Sequence, residues 1–409
     1  MSDTLKGKRK PPRKEPALAE TCCGLFAGIG GLEVGLHRAG YLPRLLCEID
    51  PDATAVLRER FPGVQLHGDV RTLDGLPTVD VVAAGFPCQD LSMAGNKAGI
   101  HGSRSNLVTS LFALLRRMEK SPRWLVMENV PYMLSLDGGR AMAFLTRELE
   151  AMGFRWAYRV LDARAFGIPQ RRLRVVLVAS KEANPCGALF VGDETPDHDD
   201  STQITNPDIA YGFYWTEGKR GLGWTVDGVP TIKGGSTIGI PSAPAIWDRP
   251  QGLIGTPDIR DVERLQGFQE DWTASAPSRA RWRLLGNAVC VPMAEWVGER
   301  LRLADETFQP VGTPFAKGRW PRAAYGAPGE PPRAVDLSSW PVRHRKQSLR
   351  DFLRYPLQPL SERATAGYLK RTSEATSLNF PPGFLEAVRL HLRTVSRRDD
   401  ARGRRQMVV

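Results

Sequence analysis

The chain has 409 residues, 42% hydrophobic and 25% charged, the make-up of a water-compatible enzyme with room for two or three domains. Its apolar runs fall short of the roughly 20 residues of a spanning helix, so no membrane partner is expected and a cytoplasmic protein is. The net charge of +11 sits at the ends: residues 1–20 carry six Lys or Arg against three acids, and residues 314–409 nineteen against eight.

The N-terminus, with Lys6, Lys8, Arg9, Lys10, Arg13 and Lys14 around Pro11 and Pro12, lacks the apolar segment of a secretory signal. A disordered basic arm over 1–20 is expected. From residue 21 to about 180, short apolar runs (Thr21 to Phe26, Leu42 to Cys47, Val79 to Ala84, Trp124 to Met127, Val175 to Val178) alternate with helix-period stretches such as Leu107 to Met118 and Arg140 to Met152. That alternation predicts an α/β fold with a doubly wound, mostly parallel sheet. Residues 181 to about 257 are rich in Gly, Pro, Thr and aromatics and predict a smaller, irregular β-rich domain, taken to 284. A helix over Val291 to Leu303, within a segment 285–304, is expected to return to the first domain. A basic extension, 305–409, follows with amphipathic stretches near Ser361 to Lys370 and Pro382 to Val395.

The six cysteines form no CxxC pair and the histidines no HxxxH pair, so neither a metal site nor a disulfide framework is expected. A lone cysteine after an apolar strand is usually core packing. Cys88, in Gly85-Phe-Pro-Cys-Gln-Asp90, has company that changes its meaning. Phe26-Ala-Gly-Ile-Gly-Gly31 follows the first strand and opens a helix, so that Gly28 and Gly30 let backbone approach a ligand. Glu48 lies about twenty residues on, where a carboxylate can take ribose hydroxyls, and Asp69 ends the next short strand. Together they imply an adenosine-containing cofactor. Glu128 ends another strand on the same rim, pairing an acid with the thiol. Alternation puts Gln170, Arg172 and Arg174 on one face, as donors for a polar heterocycle.

In this order the motifs resemble those of DNA (cytosine-5) methyltransferases of the bacterial restriction-modification type, from about residue 21 to 303. Phe26 to Gly31 resembles the cofactor loop, Glu48-Ile49-Asp50 and Gly68-Asp69-Val70 the adenosine contacts, and Gly85 to Gln89 the nucleophile motif. Glu128-Asn-Val130, Gln170 to Arg174, Arg260 to Phe268 and Leu285-Gly-Asn-Ala288, with Asn287, complete the series.

The resemblance implies a Rossmann-like methyltransferase using S-adenosylmethionine. Cys88 would add to C6 of a flipped-out cytosine, Glu128 would hold its N3, and Arg174 with Arg172 its O2. Asp90 to Asn106, with Ser92 beside Gln89, looks like a loop that closes over DNA, and 181–284 occupies the place of a target-recognition domain. Thr231, Lys233 and Arg260 are candidate DNA contacts, as are Lys219, Arg220 and Arg249. Double-stranded DNA is the expected partner of a monomer, nucleoid-associated in a bacterial cell, with a companion restriction endonuclease acting in the same system.

Three rivals fit less well. An RNA cytosine methyltransferase lacks a use for so large a variable region, a dehydrogenase would need GxGxxG, and a silent DNA-binding regulator would not need Cys88, Glu128 and Arg174. The recognition sequence is not legible, because it lies in loop geometry.

Overall fold

The computed structural model describes residues 19–87, 107–195, 206–218, 222–235, 243–315, 318–374 and 379–406. Thr21–Leu25 (β1), Leu42–Cys47 (β2), Gln65–His67 (β3), Val81–Ala84 (β4) and Trp124–Asn129 (β5) lie in the order β3, β2, β1, β4, β5, all parallel. The order reverses between β1 and β4, which opens a crevice at the carboxyl ends of the strands. Gly31–Arg38 (α1), Pro51–Arg60 (α2), Leu107–Arg117 (α3) and Arg140–Ala151 (α4) belong to the same half of the chain.

Both faces of β1, β4 and β5 are covered, which is why they read as continuous apolar runs rather than as alternating ones. Cys22, Val81, Ala83 and Val126 enter one core with Leu32 and Leu36 of α1. Cys23, Val82, Ala84 and Met127 enter the other with Leu111 of α3 and Leu145 of α4.

Arg155–Asp162 (β6), the two-residue Gln170–Arg171 (β7) and Leu173–Ser180 (β8) follow, with β8 inserted antiparallel between β5 and β6. The sequence reading overlooks β6, whose buried Arg159 and Asp162 interrupt the apolar pattern. After Pro185–Leu189 (α5) comes a small antiparallel sheet of Ala210–Phe213 (β9), Trp224–Val226 (β10), Ala245–Asp248 (β12) and Leu253–Thr256 (β13); Val229–Pro230 (β11) pairs with β7 instead. Ile259–Leu265 (α6), Ser278–Asn287 (α7) and Val291–Arg302 (α8) then return. Small residues let α8 seat tightly on α1: a Cβ at Gly35 would lie 2.4 Å from that of Ala294, and one at Gly298 2.6 Å from that of Ala39.

The chain beyond residue 305 joins both sheets. Thr313–Pro314 (β14), Ala323–Gly326 (β15) and Arg333–Ala334 (β16) extend the large sheet, with β15 antiparallel to β6. Trp320 and Trp340 enter its two cores. After Leu349–Phe352 (α9), Gln358–Pro359 (β17) pairs with β13 of the small sheet. Glu362–Ser373 (α10) and Phe384–Gln406 (α11) supply Tyr368, Phe384 and Val388 to a core with Tyr211, Phe213 and Trp247. Among the described residues no helix is long and apolar enough to cross a membrane.

Candidate active site

The site begins where β1, β2, β4 and β5 end. The turn from β1 into α1 takes the left-handed backbone region at Phe26 (φ 57°), Gly28 (φ 56°) and Gly30 (φ 86°). Gly30 could not carry a side chain, since a Cβ would lie 2.5 Å from the Phe61 ring, whereas a Cβ on Gly28 would meet nothing within 4 Å. Phe26 bears the strain of that region without being glycine, a feature that concentrates at functional sites. Glu48 ties this turn to the end of β2: Oε2 accepts from the Gly28 amide at 2.7 Å and Oε1 from the Asp50 amide at 2.8 Å.

Asp50 caps α2, accepting from Asp52 N at 3.0 Å, and is paired by Arg283 of α7, which also reaches Asp52 at 2.9 Å. Trp272 donates its indole N–H to the Ile29 carbonyl at 2.9 Å, so the returning helical segment buttresses the turn from the far side. Ile49 is 64% exposed on the rim, while Val70 is buried in a core. Asp69 accepts from the Arg71 guanidinium at 2.6 and 2.9 Å, which with the Arg71 amide holds its carboxyl below the usual range. Asn287 is exposed at the end of α7.

The described chain after β4 runs to Pro87; Cys88, Gln89, Ser92, Lys219 and Arg220 lie outside the described residues. Asn129 fixes what leads to that point, donating from Nδ2 to the Phe86 carbonyl at 3.0 Å. Glu128 lies beside it, for a Cβ on Gly85 would stand 3.9 Å from Glu128 Oε2 and 3.7 Å from the Phe26 carbonyl. Glu128 pairs across the sheet with Val176, which sets Arg174, two residues earlier, diagonally on the same face. Arg174 Nε is 2.7 Å from Glu128 Oε1, and both side chains are buried. Burial pushes the Glu128 carboxyl up against the opposing pull of Arg174 and Arg172, and lowers Arg174.

Arg172 and Gln170 are committed elsewhere. The Arg172 guanidinium donates to the carbonyls of Ile232, Gly286 and Ala288, leaving Nε without a partner among the described residues, and burial lowers it to about 9. Gln170 donates to the Leu265 carbonyl at 2.8 Å and accepts from the Ile232 amide at 3.0 Å. The two therefore bind β7 and β8 to the segment after β11 and to α7. At Gly286 that contact leaves no room for a side chain, because a Cβ would lie 2.0 Å from the Lys233 carbonyl carbon.

The other candidate DNA contacts among the described residues have internal partners too. Thr231 donates to the Arg171 carbonyl at 2.7 Å and accepts at its own carbonyl from Tyr214 at 3.0 Å. Lys233 pairs with Glu217 at 2.9 Å over the Tyr214 ring, and Arg260 with Asp258 at 2.9 Å over the Tyr355 ring. Arg249 donates to the Asn206 carbonyl at 3.3 Å beside Trp247. The sequence reading did not single out Arg283, Trp272 or a role for Asn129. Only Asp50-Pro51, a helix start, hinted that Asp50 had a structural task.

The family of C-5 cytosine-specific DNA methylases matches residues 21–210. The type II methyltransferase M2.BsuMI of Bacillus subtilis (strain 168) is 46% identical over 374 residues, 89% of this chain and 96% of that protein. The type II methyltransferase M.NlaX of Neisseria lactamica is 30% identical over 304 residues, 68% of this chain and 95% of that one. The Bacillus match thus takes in residues well beyond the motif-bearing segment. In fold, the chain is similar to the crystal structure of the S. pombe Dnmt2 methyltransferase, at a TM-score of 0.51 and 17% identity over 69% of this chain and 98% of that one.

Proposed function

The chain belongs to the C-5 cytosine-specific DNA methylase family and is a C-5 cytosine methyltransferase of the restriction-modification type, and from that premise we propose its chemistry in detail. It methylates C5 of a cytosine flipped out of duplex DNA, with S-adenosylmethionine as donor and Cys88 as nucleophile. The observation that carries this reading is the buried Glu128 and Arg174 pair, set against Gly85 at the start of the nucleophile motif.

The rim fits an adenosine-type donor. Glu48 stands at the end of β2 beside the turn, and the open space at Gly28 lets a ligand approach backbone directly. Phe26, Gly28, Gly30, Glu48, Ile49, Asp69, Val70 and Asn287 would hold it. When bound, it supplies an electrophilic methyl group.

Cytosine C5 is a poor nucleophile, so the Cys88 thiolate first forms a bond to C6, opening the C5–C6 double bond and making C5 electron-rich. Glu128 assists by holding a proton at N3, a task suited to a carboxyl whose proton affinity burial raises. Arg174 orients Glu128 and offers its guanidinium to O2, where negative charge gathers. Afterwards the C5 proton passes to water, the C6–S bond breaks and the thiolate returns. Asn129, through the Phe86 carbonyl, positions the segment that carries Cys88. We assign the biological role as protection of host DNA from a companion nuclease, carried out by a monomer.

A duplex carrying 5-fluorocytosine tests the mechanism, since fluorine at C5 cannot leave as a cation and the adduct persists. A protein–DNA band stable to denaturation is expected with the native chain and none with Cys88→Ser. Methyl transfer by Cys88→Ser at the native rate would refute covalent catalysis.

A further inference from the structure

The tail presents a cationic surface beside the small sheet that the motifs do not account for. α11 buries Phe384, Val388, His391 and Val395 at helical spacing, with His391 Nε2 2.9 Å from the Leu360 carbonyl. One position round, Arg389, Arg393 and Arg397 repeat at every fourth residue, all exposed and without an ion-pair or hydrogen-bond partner among the described residues. Arg363 and Lys370 of α10 are exposed and unpartnered in the same sense. Lys233, Arg249 and Arg260, the contacts that position in the sequence suggests, by contrast each have a partner within the chain.

The spacing suits a phosphate backbone. Four helical residues rise about 6 Å, so three arginines extend over about 12 Å. Phosphates along one DNA strand advance about 3.4 Å per nucleotide, and the stripe therefore spans three or four of them.

The surface also connects to β7. α10 lines an open pocket of about 530 Å³ in which Arg363, Gly367 and Arg371 face Trp215 and Thr216. Arg371 donates to the Trp215 carbonyl and keeps Nε without a partner among the described residues. Two residues along, Glu217 holds Lys233 over Tyr214, and Tyr214 reaches Thr231, whose hydroxyl binds the Arg171 carbonyl next to Arg172.

We propose that α10 and α11 form a second DNA-contacting surface, which grips the phosphate backbone of the duplex flanking the target without reading bases. This rests on the reading that the substrate is duplex DNA. The cations stand on exposed helix faces and are the right partners for phosphates, while base readout would need side chains entering a groove.

The test compares the full-length chain with the triple variant Arg389→Gln, Arg393→Gln, Arg397→Gln in binding a labelled duplex of mixed sequence across a salt series. Each lost phosphate contact should flatten the log–log salt slope by about 0.9, so a decrease of about 2 to 3 is expected, with affinity weakened about tenfold or more. At saturating DNA kcat should be unchanged, with the loss confined to KM. An independent variant, Arg363→Gln with Lys370→Gln, should flatten the slope by about 1 to 2, which keeps the test decisive if the triple variant folds poorly. Unaltered slopes in folded variants would overturn the proposal, whether the stripe is merely solvated or meets a protein. Native binding without any cytosine methylation would sink the functional reading instead, and the slope comparison would still decide the role of the helices.

Discussion

Arg174 Nε stands 2.7 Å from Glu128 Oε1, and both groups are buried at the ends of neighbouring antiparallel strands. Such a pair adds little net stability, yet removing one partner leaves the other charge stranded in the interior. Its retention makes sense as a device that presents a carboxyl at fixed geometry beside the nucleophile segment.

Glu128→Ala is expected to lower the unfolding free energy by about 3 to 5 kcal/mol, because Arg174 loses its carboxylate. Urea denaturation reads this directly. Glu128→Gln keeps the volume and should stay folded, while kcat drops by about 10²- to 10⁴-fold with the loss of the acid. Native kcat in Glu128→Gln would remove Glu128 from the chemistry.

Asn129→Ala separates positioning from stability. Two hydrogen bonds are lost, one to the Phe86 carbonyl and one from the Val130 amide, about 2 kcal/mol of stability. Phe86 lies two residues before Cys88, so a small displacement there should reduce kcat by as much as about 10²-fold. Cofactor affinity, measured by calorimetry, should not move; a fall in that affinity with unchanged kcat would contradict the assignment.

Glu33 of α1 is fully buried against Gly24, neither carboxylate oxygen has a hydrogen-bond partner on another of the described residues, and burial raises its carboxyl to about 8. The folded chain therefore keeps this proton at pH values where the unfolded chain has released it. The sign follows: the contribution is fully present below the ordinary carboxylate range and is lost as pH rises toward about 8. Each unit of that shift corresponds to about 1.4 kcal/mol. Glu33→Gln, which has no proton to lose, should be more stable than the native chain at pH 8.5 and should show a flatter fall of melting temperature above pH 5. Parallel pH–stability curves would refute this.

Deleting residues 312–409 should abolish cooperative folding rather than yield a trimmed enzyme. The cut removes β15 from the edge at β6, Trp320 and Trp340 from the two cores, and Tyr368, Phe384 and Val388 from the small sheet. Each large apolar side chain lost from burial forfeits about 1.5 to 3 kcal/mol. A soluble fragment 1–311 with a sharp melting transition would show that the tail is dispensable.

The centre of the parallel half was legible because β1, β4 and β5 are buried on both faces. Leu42–Cys47 is recovered to the residue, and β1, β4 and β5 nearly so. β6 was not, since Arg159 is satisfied inside by the Gly192 and Ser338 carbonyls and Asp193, partners far away in sequence. In the site, Glu128 and Arg174 meet as a strand-end acid and a strand-start donor can. Alternation alone could not separate Arg174 from Arg172, because what separates them is three carbonyls brought from Ile232, Gly286 and Ala288. The tail's part in both sheets was hidden for a similar reason. Two-residue strands such as Gln358–Pro359 have no periodicity to read and owe their conformation to the edge they join.

The most direct measurement is bisulfite sequencing of plasmid DNA from cells expressing the native chain, with Cys88→Ser as the paired control. The account predicts conversion-resistant cytosines in one fixed sequence context, present with the native chain and absent with the variant. Full conversion at every cytosine with the native chain would contradict it.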